Sequence, residues 1–184
     1  MTIAPDTKDW TWVLERACPD CGFDASNLDP SKVPALMPQV AAAWQEVLAG
    51  AGAGAEVAQR PSDDRWSTLE YACHVRDVFR LADVRFSLML DQDGPELQNW
   101  DQDETAITDR YSEQDPHQVA ADTAAAAAMA AGRIDGLSGA AWDRSGTRSD
   151  GARFTVASFA RYVIHDPVHH LHDVGRADLI PTVP

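Results

Sequence analysis

The stretch Tyr162–Asp173, which reads YVIHDPVHHLHD, constrains this chain more than any other. Four of the six histidines fall inside it: His165, His169, His170 and His172. Tyr162, Val163, Ile164, Val168 and Leu171 interleave with them, so a helix built from this stretch is largely buried. Buried imidazoles need hydrogen-bond partners or a metal. Residues four apart lie one turn above the other on an α-helix. His165 and His169 have that spacing and can converge on one point, a half-site that suits Zn, Ni, Fe or Cu. His172 follows His169 by three residues and can extend the same face, whereas His170 is rotated away. The competing reading is a solvated histidine cluster that binds metal only adventitiously. Pro167 removes a backbone donor inside the stretch and predicts a kink or a helix start beside the half-site.

The rest of the chain supplies helices to pack around this one. A first helix is expected from Val33 to about Ala49, with Leu36, Val40, Trp44, Val47 and Leu48 at helical spacing. The Gly/Ala-rich segment Ala49–Pro61 reads as a connection. Ser67-Thr68-Leu69-Glu70 is a capping box, and Trp66 before it is placed for a hydrophobic staple on Tyr71. The second helix runs from there to about Leu90 and carries His74 in its second turn. A lone helical histidine is usually a core or surface residue; His74 is a ligand candidate because a two-histidine half-site exists elsewhere. Asp77 shares its face and is placed to complete the ligand set or to accept the outer proton of a ligating imidazole. Residues 91–115 form an acidic connection too long for a simple turn, anchored by Trp100 and Tyr111. A third helix follows from Pro116 to about Gly136, capped by Asp115. Its Ala-rich run permits close approach of its neighbours. Residues 142–154 read as a short hairpin or loop. Thr155 then caps the last helix, which Gly175 stops. Four amphipathic helices in 184 residues spell an all-α fold, a four-helix bundle in residues 33–184. Residues 1–32 form an irregular arm, apolar enough through Trp10, Trp12, Val13, Leu14 and Phe23 to pack on that bundle.

A formal net charge of −14 argues against nucleic acid and anionic membranes as partners. No apolar run reaches the ~20 residues of a membrane span. The opening MTIAPDTKDW lacks the basic and apolar regions of a secretory signal. Three cysteines in a chain of this length indicate reduced thiols and a cytoplasmic setting. Two of them lie in the arm, as Cys18-Pro19-Asp20-Cys21-Gly22. That pattern resembles one knuckle of a zinc ribbon, yet no second CxxC exists to complete four ligands. Three readings stay open: a turn with reduced thiols, a redox or disulfide pair, and metal ligation completed by histidines. His117 is expected at the surface, and Cys73 in the core.

Three motifs together resemble the DinB/YfiT-like family. They are Trp66-Ser67-x-x-Glu70-x-x-x-His74, the loop Asn99-Trp100-Asp101, and His165-Asp166-x-x-His169-His170 on the last helix. The likeness covers roughly Val33–Asp173 and leaves the CPDCG arm outside the general pattern; Pro167 is a further departure. It implies a divalent metal held by His74, His165 and His169, with Zn or Ni foremost and Mn or Fe also accepted. It implies coordination positions open to water or substrate, as a catalytic metal needs. Asp77 or Asp166 would act as a base or orient a histidine. Related proteins include mycothiol-type thiol transferases and hydrolases. The implied activity is a metal-dependent reaction on a small molecule, with a low-molecular-weight thiol as candidate co-substrate. The alternative is a non-catalytic metal-binding or stress-response module. An exposed arm also makes a homodimer an expected assembly.

Overall fold

A computed structural model of the chain describes residues 9–50 and 55–182. The opening eight residues, residues 51–54 of the Gly/Ala-rich connection and the last two residues lie outside the described part. The chain folds as a four-helix bundle built from α1 (Val33–Gly50), α3 (Thr68–Asp91), α5 (Pro116–Ile134) and α6 (Val156–Asp173). Two short helices interrupt the connections, α2 (Ala55–Ala58) and α4 (Gln102–Thr108). Around the bundle the order is α1, α5, α3, α6 and back to α1, so α1 and α3 face each other diagonally. The alanines Ala126, Ala127, Ala130 and Ala131 are buried on α5 and let it sit closely between α1 and α3.

Local chemistry starts α3, α5 and α6 where the caps predict. Ser67 accepts from the Glu70 amide at 3.2 Å, and the Glu70 carboxylate accepts from the Ser67 amide at 2.8 Å. Trp66 packs edge-on against Tyr71 with ring centroids 5.5 Å apart, which is the expected staple. Asp115 caps α5 and Thr155 caps α6, the latter in a second capping box with Ser158. α6 runs unbroken through Pro167; the indole of Trp44 on α1 donates to the Pro167 carbonyl at 3.0 Å and holds the two helices together there. The helix therefore starts at Val156, eleven residues before the proline, and not beside it. Gly175 ends it with φ +73°.

A small sheet closes one end of the bundle. β2 (Ser145–Arg148) and β3 (Arg153–Thr155) form the expected hairpin. β1 (Glu96–Leu97), from the acidic connection, adds to β2 in parallel, a pairing that a two-residue strand does not announce. Gly146 is required there, because a Cβ would meet Met89 Cγ at 3.1 Å and the Pro95 carbonyl at 3.2 Å. The arm packs along α6 through a short 3-10 turn, Thr11–Leu14, with Val13, Cys18, Phe23, Ala25 and Leu28 buried. Among the described residues, no helix is long and apolar enough to cross a membrane.

Candidate metal centres

Three of the four histidines of α6 divide between two groups of donor atoms. The first lies between α3 and α6. His74 Nε2 is 3.2 Å from Asp166 Oδ1, and His170 Nε2 is 3.6 Å from the same oxygen. All three side chains offer donor atoms within 4.8 Å of one another. Asp166 and His170 are four apart on α6 and so share a face; His74 projects onto it from the second turn of α3. His170 Nδ1 lies 2.7 Å from Asp173 Oδ2. A carboxylate only accepts, so Nδ1 donates to it, and Nε2 is the nitrogen that would turn a lone pair to a bound metal. His74 is buried, stacked on Trp100 with centroids 5.3 Å apart and planes at 11°. Its Nδ1 is buried without a hydrogen-bond partner. Burial pushes the Asp166 carboxyl up, but the His74 and His170 imidazoles outweigh that and hold it below the ordinary carboxylate range.

The second group lies on the adjoining face of α6, under the arm. Cys18 Sγ is 3.5 Å from His169 Nδ1, and Cys21 Sγ is 3.7 Å from His165 Nε2. These four donors also lie within 4.8 Å of one another. Trp10 covers both imidazoles, with centroids 4.9 Å from His169 and 5.7 Å from His165. Desolvation raises the Cys21 thiol to about 12.

The expected trio of His74, His165 and His169 is thus distributed. His165 and His169 keep each other's company, as their spacing predicts, but they face the arm, whereas His74 meets Asp166 and His170. One residue along a helix is a rotation of about 100°, so the pair one position later points at α3 in their place. Asp77, expected as ligand or base, lies in neither group. Arg76 donates to it at 2.9 and 2.8 Å, Arg80 at 3.0 Å and the Tyr111 hydroxyl at 2.5 Å. Both of its oxygens are taken, and its work is to tie α3 to the acidic connection. Trp100 and Tyr111 do anchor that connection: Tyr111 is fully buried and Trp100 forms the lid over His74. His117 and His172 are exposed, and Cys73 is buried in the core.

Two histidines and one carboxylate make a donor set that a divalent ion accepts, with positions left for water or substrate. The residues present fit such an ion. The Asp166 side chain, 37% exposed, faces a cavity of about 770 Å³ that His165, His169 and His170 also line. Arg85 and Tyr162 line the same cavity. Arg85 is only 8% exposed; one guanidinium nitrogen donates to the Gln98 carbonyl at 2.8 Å, and its Nε is buried without a partner. Among the described residues no carboxylate forms an ion pair with it. Burial lowers its affinity for a proton. Arg148 beside it is occupied by Asp150 and the Tyr162 hydroxyl.

Comparison with known proteins places this geometry in a setting. A sequence model of the DinB superfamily matches residues 36–174. Among solved structures, the chain is similar to YfiT from Bacillus subtilis, described as a probable metal-dependent hydrolase with an unusual four-helix bundle topology. The two share 16% identity with a TM-score of 0.64, over 95% of this chain and 93% of that one. At that identity the likeness speaks for the fold. No curated protein matches the chain.

Proposed function

From the premise that the chain belongs to the DinB superfamily, we propose that it is a metal-dependent enzyme acting on a small anionic molecule. The observation that carries this reading is the His74–Asp166–His170 group at the wall of a cavity large enough for a substrate. A divalent ion held by those three side chains would lower the pKa of a bound water or thiol and supply a nucleophile near neutral pH. The chain's own residues do the rest. Asp173 fixes the His170 tautomer, so that its Nε2 lone pair faces the site. Trp100 and Trp66 pack on His74, hold its ring in place and keep bulk water from that side. Arg85, a guanidinium that lines the cavity and forms no ion pair among the described residues, neutralises a carboxylate or similar anion on the substrate and orients it.

The description of YfiT supports a hydrolase, in which the nucleophile is water. The cavity volume also leaves room for a low-molecular-weight thiol beside the substrate, in which case the reaction is a mycothiol-type thiol transfer. Loading the purified protein with Zn, Ni, Mn or Fe and screening carboxylate-bearing substrates, with and without a thiol, separates the two. Metal content is measured in parallel for wild type, His74→Ala and His170→Ala. The expected result is turnover that disappears in both variants together with one equivalent of metal. Metal uptake unchanged in both variants would remove the site from the protein's chemistry. Metal bound by wild type without any turnover would leave a binding module.

A further inference from the structure

The thiol group under the arm plays no part in that reaction and is a different kind of centre. We infer that Cys18, Cys21, His165 and His169 form a closed tetrahedral zinc site that clasps the N-terminal arm to α6. Zinc takes sulfur at about 2.3 Å and nitrogen at about 2.0–2.1 Å, so in a tetrahedron a sulfur and a nitrogen lie about 3.6 Å apart. The two measured sulfur–nitrogen separations, 3.5 and 3.7 Å, bracket that value. All four donors come within 4.8 Å of one another.

Local structure prepares the sulfurs for it. The Gly22 amide donates to the Cys18 carbonyl at 2.9 Å and the Cys18 amide donates to the Phe23 carbonyl at 3.0 Å, closing the CPDCG turn on itself. Gly22 holds φ +74°, a conformation that a side chain would oppose. The imidazoles are four apart on one face of α6 and meet the turn from a helix far along the chain. Asp173 Oδ2, 3.7 Å from His169 Nε2, stands behind that ligand as it does behind His170.

Charge and burial agree. Cys18, His165 and His169 are buried and Cys21 is half-buried. Two thiols and two imidazoles are gathered there, and S···N contacts of 3.5 and 3.7 Å return little of the hydration that burial removes. Zn²⁺ would displace both thiol protons to solvent, and two thiolates then cancel its charge, so no net charge is buried. Four protein ligands leave no open position, which makes the site structural, in contrast to the three-ligand centre beside it. Its work is architectural: Trp10 and Trp12 rest on His165, and Trp10 also lines the substrate cavity. Holding the arm on α6 therefore holds one wall of that cavity.

This inference stands apart from the proposed reaction, and the test keeps the two separate. Full-length protein, prepared under reducing conditions, is loaded with Zn for X-ray absorption and with Co(II) for optical spectra, in wild type and in His74→Ala. The expected result is a sulfur shell at about 2.3 Å and a sulfur-to-cobalt charge-transfer band, both kept in His74→Ala. Cys18→Ser and Cys21→Ser each remove the band and one equivalent of metal. Wild-type thiol reactivity gives a reading independent of how those variants fold: Zn shields two thiols from alkylation and a chelator exposes them. Cys73, buried against the Tyr111 carbonyl, is the internal reference. A zinc-loaded protein with no sulfur shell, two thiols equally reactive with and without Zn, or a Cys18–Cys21 disulfide formed in the same buffer would each overturn the site.

Discussion

Asp173 stands between the two centres. Its Oδ2 accepts the His170 Nδ1 proton at 2.7 Å and lies 3.7 Å from His169 Nε2. A carboxylate behind an imidazole fixes its tautomer and raises its basicity, and losing it typically weakens metal binding by about 10–100-fold. Asp173 is also the last residue of α6, where the helix dipole disfavours a negative charge. Asp173→Ala is therefore expected to lower metal affinity by about that factor, measured against a competing chelator, and to lower Tm in the metal-free protein as well, because, against the upward push of burial, His170 holds the Asp173 carboxyl below its ordinary range in the fold. A fall in Tm with unchanged affinity would make Asp173 a purely structural residue. The same neighbourhood shows what spacing alone can resolve. Two i,i+4 pairs lie one residue apart on α6, His165 with His169 and Asp166 with His170. A pattern of histidines singles out the first pair. Only the position of α3 relative to α6 shows that the second pair meets His74. Arg85 was equally hidden, because one arginine among many acquires meaning only from its burial and its place on the cavity wall.

At the scale of elements, α3 carries the most local information and the most local risk. Its capping box was legible in four residues, because both partners of the reciprocal hydrogen bonds lie within one turn. Ser67→Ala leaves the Glu70 amide without its acceptor and is expected to cost about 1 kcal/mol in denaturant unfolding. Metal content should not change. Asp77, further along the same helix, gives a pH signature. Burial raises its carboxyl, but Arg76, Tyr111 and Arg80 outweigh that, so its pKa in the folded protein lies below the ordinary 3.8. As pH falls the unfolded chain takes up this proton first, so the stability Asp77 contributes is whole above about pH 4 and fades below it. Asp77→Asn is expected to destabilise the protein at pH 7, and its stability should approach that of wild type as the pH is lowered below 3.8. Turnover lost in a fully folded, metal-loaded Asp77→Asn protein would return this residue to the catalytic machinery. α6 continues through its proline: Pro167 lies inside Val156–Asp173, and Trp44 of α1 donates to the Pro167 carbonyl and ties the two helices together at that point.

At the scale of the whole molecule, helix periodicity told which faces are buried but not which helices they face. An apolar stripe is satisfied by any apolar partner, so the order α1, α5, α3, α6 comes only with the assembled bundle. The placement of the arm is a long-range fact of the same kind: its cysteines meet histidines near the other end of the chain. That placement makes α6 a wall shared by two centres of unequal exposure. The His74–Asp166–His170 group opens to the cavity through Asp166, which gives a metal held there a path to solvent. The thiolate centre has its four donors between the arm and α6, three of them buried, so its metal is expected to leave more slowly and as the arm lifts from α6. Chelation of fully loaded protein is therefore expected in two phases. The fast phase should abolish turnover with little change in tryptophan fluorescence. The slow phase should follow arm opening, alter the emission of Trp10 and Trp12 as they part from His165 and His169, and coincide with exposure of two thiols. Trp10→Phe should diminish that slow fluorescence change and leave the fast loss of turnover in place. Release of all metal in one phase, with thiol exposure and loss of turnover moving together, would mean that the arm and the reaction centre open as a single unit.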